Sequence, residues 1–294
     1  MITILDGGMG GELSRRGTGA ATGLWSAQAL IDAPESVVEV HKDYIAAGAR
    51  MITTNSYSTI PAYLGKSDLA DRYVELTELA GVLARRAVQE TDDSVQVAGS
   101  LPPLSESYRP DLVPSGITSE PVYAAMVKAL RDNVDLFLCE TMSSGAEAVH
   151  AVSQAVKHGS GKPVMVSWTL GERPGSGLRS GESVSEAFSM LQEFDISAYL
   201  FNCTHPEAIL EGLKELAELT DKTIGGYPNR LNSVSPDWTL DNEIQTGLRT
   251  DIDVEFYLEY ARKFEEAGAS IIGGCCGIGP EYIRALSENH GTPP

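Results

Sequence analysis

Three cysteines carry the most distinctive chemistry in this chain. Cys275 and Cys276 stand side by side in the run Ser270-Ile271-Ile272-Gly273-Gly274-Cys275-Cys276-Gly277-Ile278-Gly279, and Cys203 follows Asn202 in Asn202-Cys203-Thr204-His205. Successive side chains of a strand point to opposite faces, so adjacent cysteines reach one point only if the backbone bends between them. Gly273, Gly274, Gly277 and Gly279 provide that freedom. Three convergent thiols suit zinc and leave a fourth position open, the pattern of a catalytic site. The plainer alternative is three unrelated buried thiols; an adjacent pair enclosed by glycines weighs against it. His205 is the rival for the fourth position, although a solvated or capping histidine is its plainer reading. Cys139, inside Leu136-Phe137-Leu138-Cys139, reads as a packing cysteine.

The chemistry follows from charge. Three thiolates leave a zinc centre with a net negative charge, and a substrate thiol in the fourth position would be held as thiolate at neutral pH, below its ordinary pKa of about 8.5. Such a nucleophile favours a cationic electrophile, the methyl of a sulfonium or quaternary ammonium, because opposite charges cancel in the transition state. Asp6 and Glu140 are candidates to grip an ammonium group. Taken singly, an Asp before Gly-Gly ends a strand and a Glu caps a helix.

These residues need a scaffold that brings distant segments together. Apolar runs predict strands at Ile2 to Leu5, Met51 to Thr54, Val95 to Gly99, Asp135 to Cys139, Pro163 to Thr169, Ala198 to Phe201, Thr223 to Gly226 and Ser270 to Gly273. Helical patterns follow each: Pro34 to Ala47, Leu69 to Glu90, Glu120 to Arg131, Ser144 to Lys157, Glu182 to Glu193, Pro206 to Leu219, Asp251 to Ala267 and Pro280 to Asn289. A glycine-rich loop joins the first strand to its helix. Eight βα units predict a closed (β/α)8 barrel of the TIM type, residues 1–294 forming one domain, with an open doubly wound sheet as the alternative. Active sites in this fold sit at the carboxyl ends of the strands, which is where Asp6, Asn55, Tyr57, Glu140, Asn202, Cys203, Cys275 and Cys276 fall. The loop from Tyr227 to Thr250 reads as a lid or a surface excursion.

Composition narrows the partners. The 294 residues carry 41 acidic and 22 basic side chains, a formal net charge of −19, with no basic cluster to neutralise phosphates, so nucleic acid is not an expected partner. No stretch reaches the roughly 18 apolar residues of a membrane span and the N-terminus lacks a secretory pattern, so a cytoplasmic protein is expected. Four cysteines in a chain of this size do not make a disulfide framework. No heptad pattern announces an oligomeric state.

Taken together, Asp6-Gly7-Gly8-Met9-Gly10, Leu24-Trp25-Ser26, Thr54-Asn55-Ser56-Tyr57, Glu140-Thr141, Gly177-Leu178-Arg179-Ser180-Gly181, Asn202-Cys203-Thr204 and Gly273-Gly274-Cys275-Cys276-Gly277 resemble the zinc-dependent homocysteine S-methyltransferases, in their compact, cobalamin-independent form. The resemblance implies a barrel in which Cys203, Cys275 and Cys276 hold Zn2+ and the homocysteine sulfur completes the site, giving methionine. It implies that Asp6 and Glu140 take the homocysteine amino group and that the amides of Gly7 and Gly8 meet its carboxylate. Asn202 would support the metal site from behind, and Tyr57 and Trp25 would line the pocket. Transfer would be direct, from S-methylmethionine foremost, with S-adenosylmethionine or betaine as the other donors. The third loop, Ser100 to Tyr108, departs from the familiar S-methylmethionine branch and leaves the donor open. Another thiol or selenol acceptor, or a non-catalytic zinc-binding or thiol-sensing barrel, are the alternatives.

Overall fold

Short apolar runs between turns become eight parallel strands in a computed structural model that describes residues 2–18, 24–235, 238–239 and 246–290. The strands are β1 (Thr3–Ile4), β2 (Met51–Thr53), β3 (Gln96–Leu101), β4 (Leu136–Met142), β5 (Val164–Trp168), β6 (Ile196–Asn202), β7 (Thr223–Tyr227) and β8 (Ala269–Ile272). Their order around the sheet is β1-β8-β7-β6-β5-β4-β3-β2, every pairing is parallel, and a single bridge from Leu5 to Met51 joins the two ends into a nearly closed (β/α)8 barrel. The helices are α1 (Met9–Arg15), α2 (Ala27–Asp32), α3 (Pro34–Ala46), α4 (Pro61–Leu64), α5 (Tyr73–Gln89), α6 (Gly116–Leu130), α7 (Gly145–His158), α8 (Val184–Ser189), α9 (Pro206–Leu219), α10 (Val254–Glu266) and α11 (Pro280–Asn289). Among the described residues no helix is long and apolar enough to cross a membrane.

Alternation along the strands divides the core in two. Leu5, Met51, Ala98, Leu136, Leu138, Met165, Ala198, Leu200 and Ile271 form one apolar cluster, the barrel interior, while Phe137, Cys139, Val166, Phe201 and Ile272 belong to the cluster that includes the helices. Two residues further along each inward row the chemistry changes. Ser100 follows Ala98, Glu140 follows Leu138, Ser167 follows Met165 and Asn202 follows Leu200, so the top layer of the barrel is polar and hydrogen-bonded above an apolar floor.

The seam between β1 and β2 is thin. Arg50 N–H donates to Ile4 O at 2.7 Å and Asp6 N–H to Met51 O at 3.0 Å. The next donor, Thr53 N–H, is accepted at 2.7 Å by the Asp6 carboxylate, so a side chain continues a ladder that the two-residue strand cannot.

The structure corrects several sequence boundaries. The glycine-rich loop contains α1 and α2, because Leu13 and Leu30 bury into the core and tertiary packing overrides the poor propensity of Gly10 and Gly11. Helix α6 starts four residues before Glu120 and takes Pro121 inside it; α8 stops at Ser189, after a capping box between Ser183 and Glu186. Helix α10 begins at Val254 with Asp253 as its cap, since the Asp251 carboxylate is given to Arg249.

Candidate active site

The carboxyl ends of the strands enclose a cavity of about 680 Å³, lined by Asp6, Gly7, Gly8, Trp25, Asn55, Tyr57, Tyr108, Glu140, Cys203, Tyr227, Trp238, Cys275 and Cys276 among others. The predicted residues from strands one, two, four, six and eight therefore share one space. Among the described residues no Lys, Arg or His lines it, so its formal charges are all negative.

Strand β8 ends in a turn that presents both of its cysteines. Cys275 O accepts from Ile278 N–H at 3.1 Å, and Gly277, third of the four residues, has φ +81°, the left-handed value that a type II turn requires there. Only Gly277 of the four predicted glycines uses that freedom. Gly274 serves close approach instead: a Cβ there would lie 2.2 Å from Ile278 Cγ2. Cys203 meets the pair from β6 with a strained φ of +50°.

The three sulfurs lie within 4.8 Å of one another, the only such cluster of metal-binding groups among the described residues. Cys276 Sγ is 4.0 Å from both Cys203 Sγ and Cys275 Sγ. Tetrahedral Zn–S bonds of about 2.3 Å separate thiolates by about 3.8 Å, so these spacings fit a zinc ion. The structure adds one bond that the sequence does not predict, a disulfide between Cys203 and Cys275. A disulfide offers no thiolate, so this oxidised pair and a three-thiolate metal site exclude each other. Burial pushes the Cys276 thiol up to about 11, and a bound cation is what would deprotonate it at neutral pH. His205 is not a fourth member: its Nε2–H donates to Leu231 O at 2.9 Å. Cys139 is fully buried in the core, as predicted.

The two carboxylates are held differently. Asp6 accepts from Thr53 N–H at 2.7 Å and from Thr53 Oγ1–H at 3.1 Å; burial, reinforced by the charge of Glu140, still pushes it up to about 8. Glu140 accepts from Ser100 Oγ–H and, at 3.2 Å, from Tyr227 O–H; burial outweighs these bonds and raises its pKa. Two buried acids that resist ionisation make a receptor for a cation, whose arrival would supply the missing charge.

Some predicted partners are placed elsewhere. The Gly8 N–H already donates to Ile278 O at 3.0 Å, so it is committed within the fold, and Gly7 lines the cavity beside it. Asn202 is fully buried, with Oδ1 accepting from Thr141 N–H at 2.9 Å and Ser167 Oγ–H at 2.7 Å while Nδ2 donates to Thr141 Oγ1 at 2.8 Å. Its amide therefore secures the residue after Glu140, in place of the role behind the metal that the resemblance implied. Thr141 needs this support because a β-branched residue at φ +60° is strained by about 1–3 kcal/mol. Asn202→Ala is expected to leave the buried Thr141 N–H without its acceptor and lower stability by about 1–3 kcal/mol, read by thermal unfolding.

Tyr57 and Trp25 do line the cavity, as a T-shaped pair with centroids 6.3 Å apart, and Tyr57 O–H shares a 2.7 Å hydrogen bond with Ser107. Sequence reasoning assigns no role to Tyr108, Tyr227 or Trp238, which are the other aromatic residues lining the cavity among those described. The loop read as a lid or a surface excursion contributes Leu231, Val234, Trp238, Thr246 and Leu248 to the wall; its residues 236–237 and 240–245 lie outside the described residues.

Fold and site define a (β/α)8 enzyme whose anionic, aromatic cavity gathers three thiols and two buried carboxylates. Residues 3–290 match the family model described as homocysteine S-methyltransferase, and the chain belongs to that family. It is 31% identical to the homocysteine S-methyltransferase of Escherichia coli K12, over 97% of this chain and 94% of that one. It is 29% identical to a selenocysteine methyltransferase of Astragalus bisulcatus, over 96% and 90%. The metallated crystal form of the E. coli homocysteine methyltransferase MmuM superposes with a TM-score of 0.81 at 29% identity, covering 98% of this chain and 96% of that one; its oxidised form gives the same TM-score at 28% identity and the same coverage.

Proposed function

We propose that this protein transfers a methyl group from a sulfonium or quaternary ammonium donor, S-methylmethionine foremost, to the thiol of homocysteine, with Zn2+ held by reduced Cys203, Cys275 and Cys276. The observation that carries the reading is the convergence of those thiols with Asp6 and Glu140 in a cavity without a basic lining residue among those described. The metallated form of the E. coli relative supports a metal in this site. Zinc there would act as a Lewis acid that lowers the pKa of an incoming thiol.

The chain's own residues do the rest. Asp6 and Glu140 would take the substrate ammonium in charge-assisted hydrogen bonds and so direct the thiol toward the cysteines. The thiol proton leaves to solvent, the sulfur pair forms the new S–CH3 bond, and the old bond's pair stays on the donor, which departs neutral. Thiolate and cation lose their charges together, so a buried, aromatic-walled cavity favours the transition state over separated ions. The test is methionine formation by reduced, zinc-loaded protein from homocysteine with S-methylmethionine, S-adenosylmethionine or betaine. Turnover with a sulfonium is expected, and none with any of the three would overturn the reading. A selenol acceptor is a second reading, supported by the Astragalus relative; selenocysteine outcompeting homocysteine in the same assay would establish it.

A further inference from the structure

The motif Gly177-Leu178-Arg179-Ser180-Gly181 has no part in the chemistry above, yet it reaches the cavity from behind. We propose that Arg179 is a positioning residue for the methyl donor: it fixes the Tyr108 ring, and with it the wall of the cavity that faces the cationic group. This inference rests on the proposed cationic donor.

Tyr108 follows β3 and lines the cavity with a backbone φ of +66°, a conformation that a bulky residue keeps only when its surroundings hold it. Two contacts do so. The Arg179 guanidinium lies over the Tyr108 ring at 4.8 Å from the centroid, and the Trp238 ring stands 5.6 Å away at 57°. Arg179, from the loop after β5, does not line the cavity, so it acts through Tyr108. Its Nη2 pairs with Glu172 Oε1 at 3.4 Å, and that same oxygen accepts from Val234 N–H at 2.6 Å. One Arg–Glu pair thus fastens the aromatic of the third loop to the stretch of the seventh loop that carries Val234 and Trp238.

The placement favours the donor side of the cavity. Asp6 and Glu140 occupy the top of the barrel interior, whereas Tyr108 stands in the loops above and lines the same cavity as Cys276. In-line transfer sets thiol sulfur, methyl and leaving group on one line, and Tyr108 and Trp238 offer π-faces to a cationic leaving group within the same cavity. Glu172 neutralises Arg179, so the guanidinium supports the ring as a flat, stacked surface without repelling a cation on the other side.

Two measurements test this. Binding of trimethylsulfonium to the reduced, full-length protein is followed by tryptophan fluorescence, and KM is determined for S-methylmethionine and for homocysteine. Arg179→Met is expected to weaken trimethylsulfonium binding and raise the donor KM about tenfold, with the homocysteine KM within about twofold of wild type. Glu172→Gln, which leaves an uncompensated cation behind the wall, is expected to move the donor values in the same direction. Arg179→Lys, which keeps the charge but loses the planar stack, should fall between wild type and Arg179→Met. Equal effects on both KM values with a lowered Tm, or unchanged trimethylsulfonium affinity, would overturn the proposal. If the wild-type protein binds trimethylsulfonium in an Arg179-dependent way but transfers no methyl group, the proposed function fails and this inference stands.

Discussion

Asp6→Asn is expected to lower kcat/KM for homocysteine by about 10²- to 10³-fold while making the substrate-free protein more stable above neutral pH. The loss follows from removing one member of a buried, charge-assisted contact to an ammonium, which costs about 2–5 kcal/mol. The gain follows from the same burial. Asp6 is pushed up to about 8 from 3.8, so the folded state binds its proton more tightly than the unfolded chain does. Its contribution to stability is therefore intact below pH 4 and is lost as pH rises to about 8. The asparagine amide keeps an acceptor for Thr53 N–H and gains a donor toward Thr53 Oγ1, both now met by the carboxylate. Thermal unfolding from pH 5 to pH 9 should show a difference in Tm between variant and wild type that widens with pH, by about 2–4 °C for each kcal/mol. A difference that is flat with pH would show that Asp6 does not titrate in this window.

Cys276→Ala is expected to abolish stoichiometric zinc binding and to lower turnover by more than about 10³-fold, the scale of a lost Lewis acid. Cys276 lies outside the disulfide and outside the buried core, so the variant should fold and melt close to wild type. Cys275→Ala is expected to give the same result, because no spare thiol is at hand: Cys139 lies in the core on the outer face of β4. Metal content by elemental analysis, measured beside methionine formation after reduction, checks both. Activity that survives either substitution would overturn the ligand set. Wild-type protein kept oxidised should resemble the variants until a thiol reductant opens Cys203–Cys275.

The positions of the site residues were legible because a parallel barrel buries its strands as continuous apolar runs and puts its chemistry where those runs stop. Leu136-Phe137-Leu138-Cys139 followed by Glu140 reads directly as floor, outer face and rim. The thiol cluster was legible from the Cys-Cys pair enclosed by glycines together with Cys203 at another strand end. What lay hidden was the inward row of small polar residues. Ser100 and Ser167 give no periodic signal, and Asn202 beside Cys203 suggests the metal when its amide serves Thr141. The strained backbones were equally silent, since Trp25, Tyr108, Thr141 and Cys203 at positive φ are held by contacts from other loops. Helix α1 was missed because propensity argues against Met9-Gly10-Gly11, and only the burial of Leu13 explains it.

The pairing of β1 with β8 also fixes an order of events in synthesis. Thr3 and Ile4 have as partners Ile271 and Ile272, so the first strand waits until those residues are made, roughly tens of seconds at ordinary rates of elongation. Cys275 and Cys276 follow three and four residues after Ile272. The ribosome therefore delivers the strand that closes on β1 and two of the three thiols together, so completing the sheet and completing the thiol cluster draw on the same short stretch of chain.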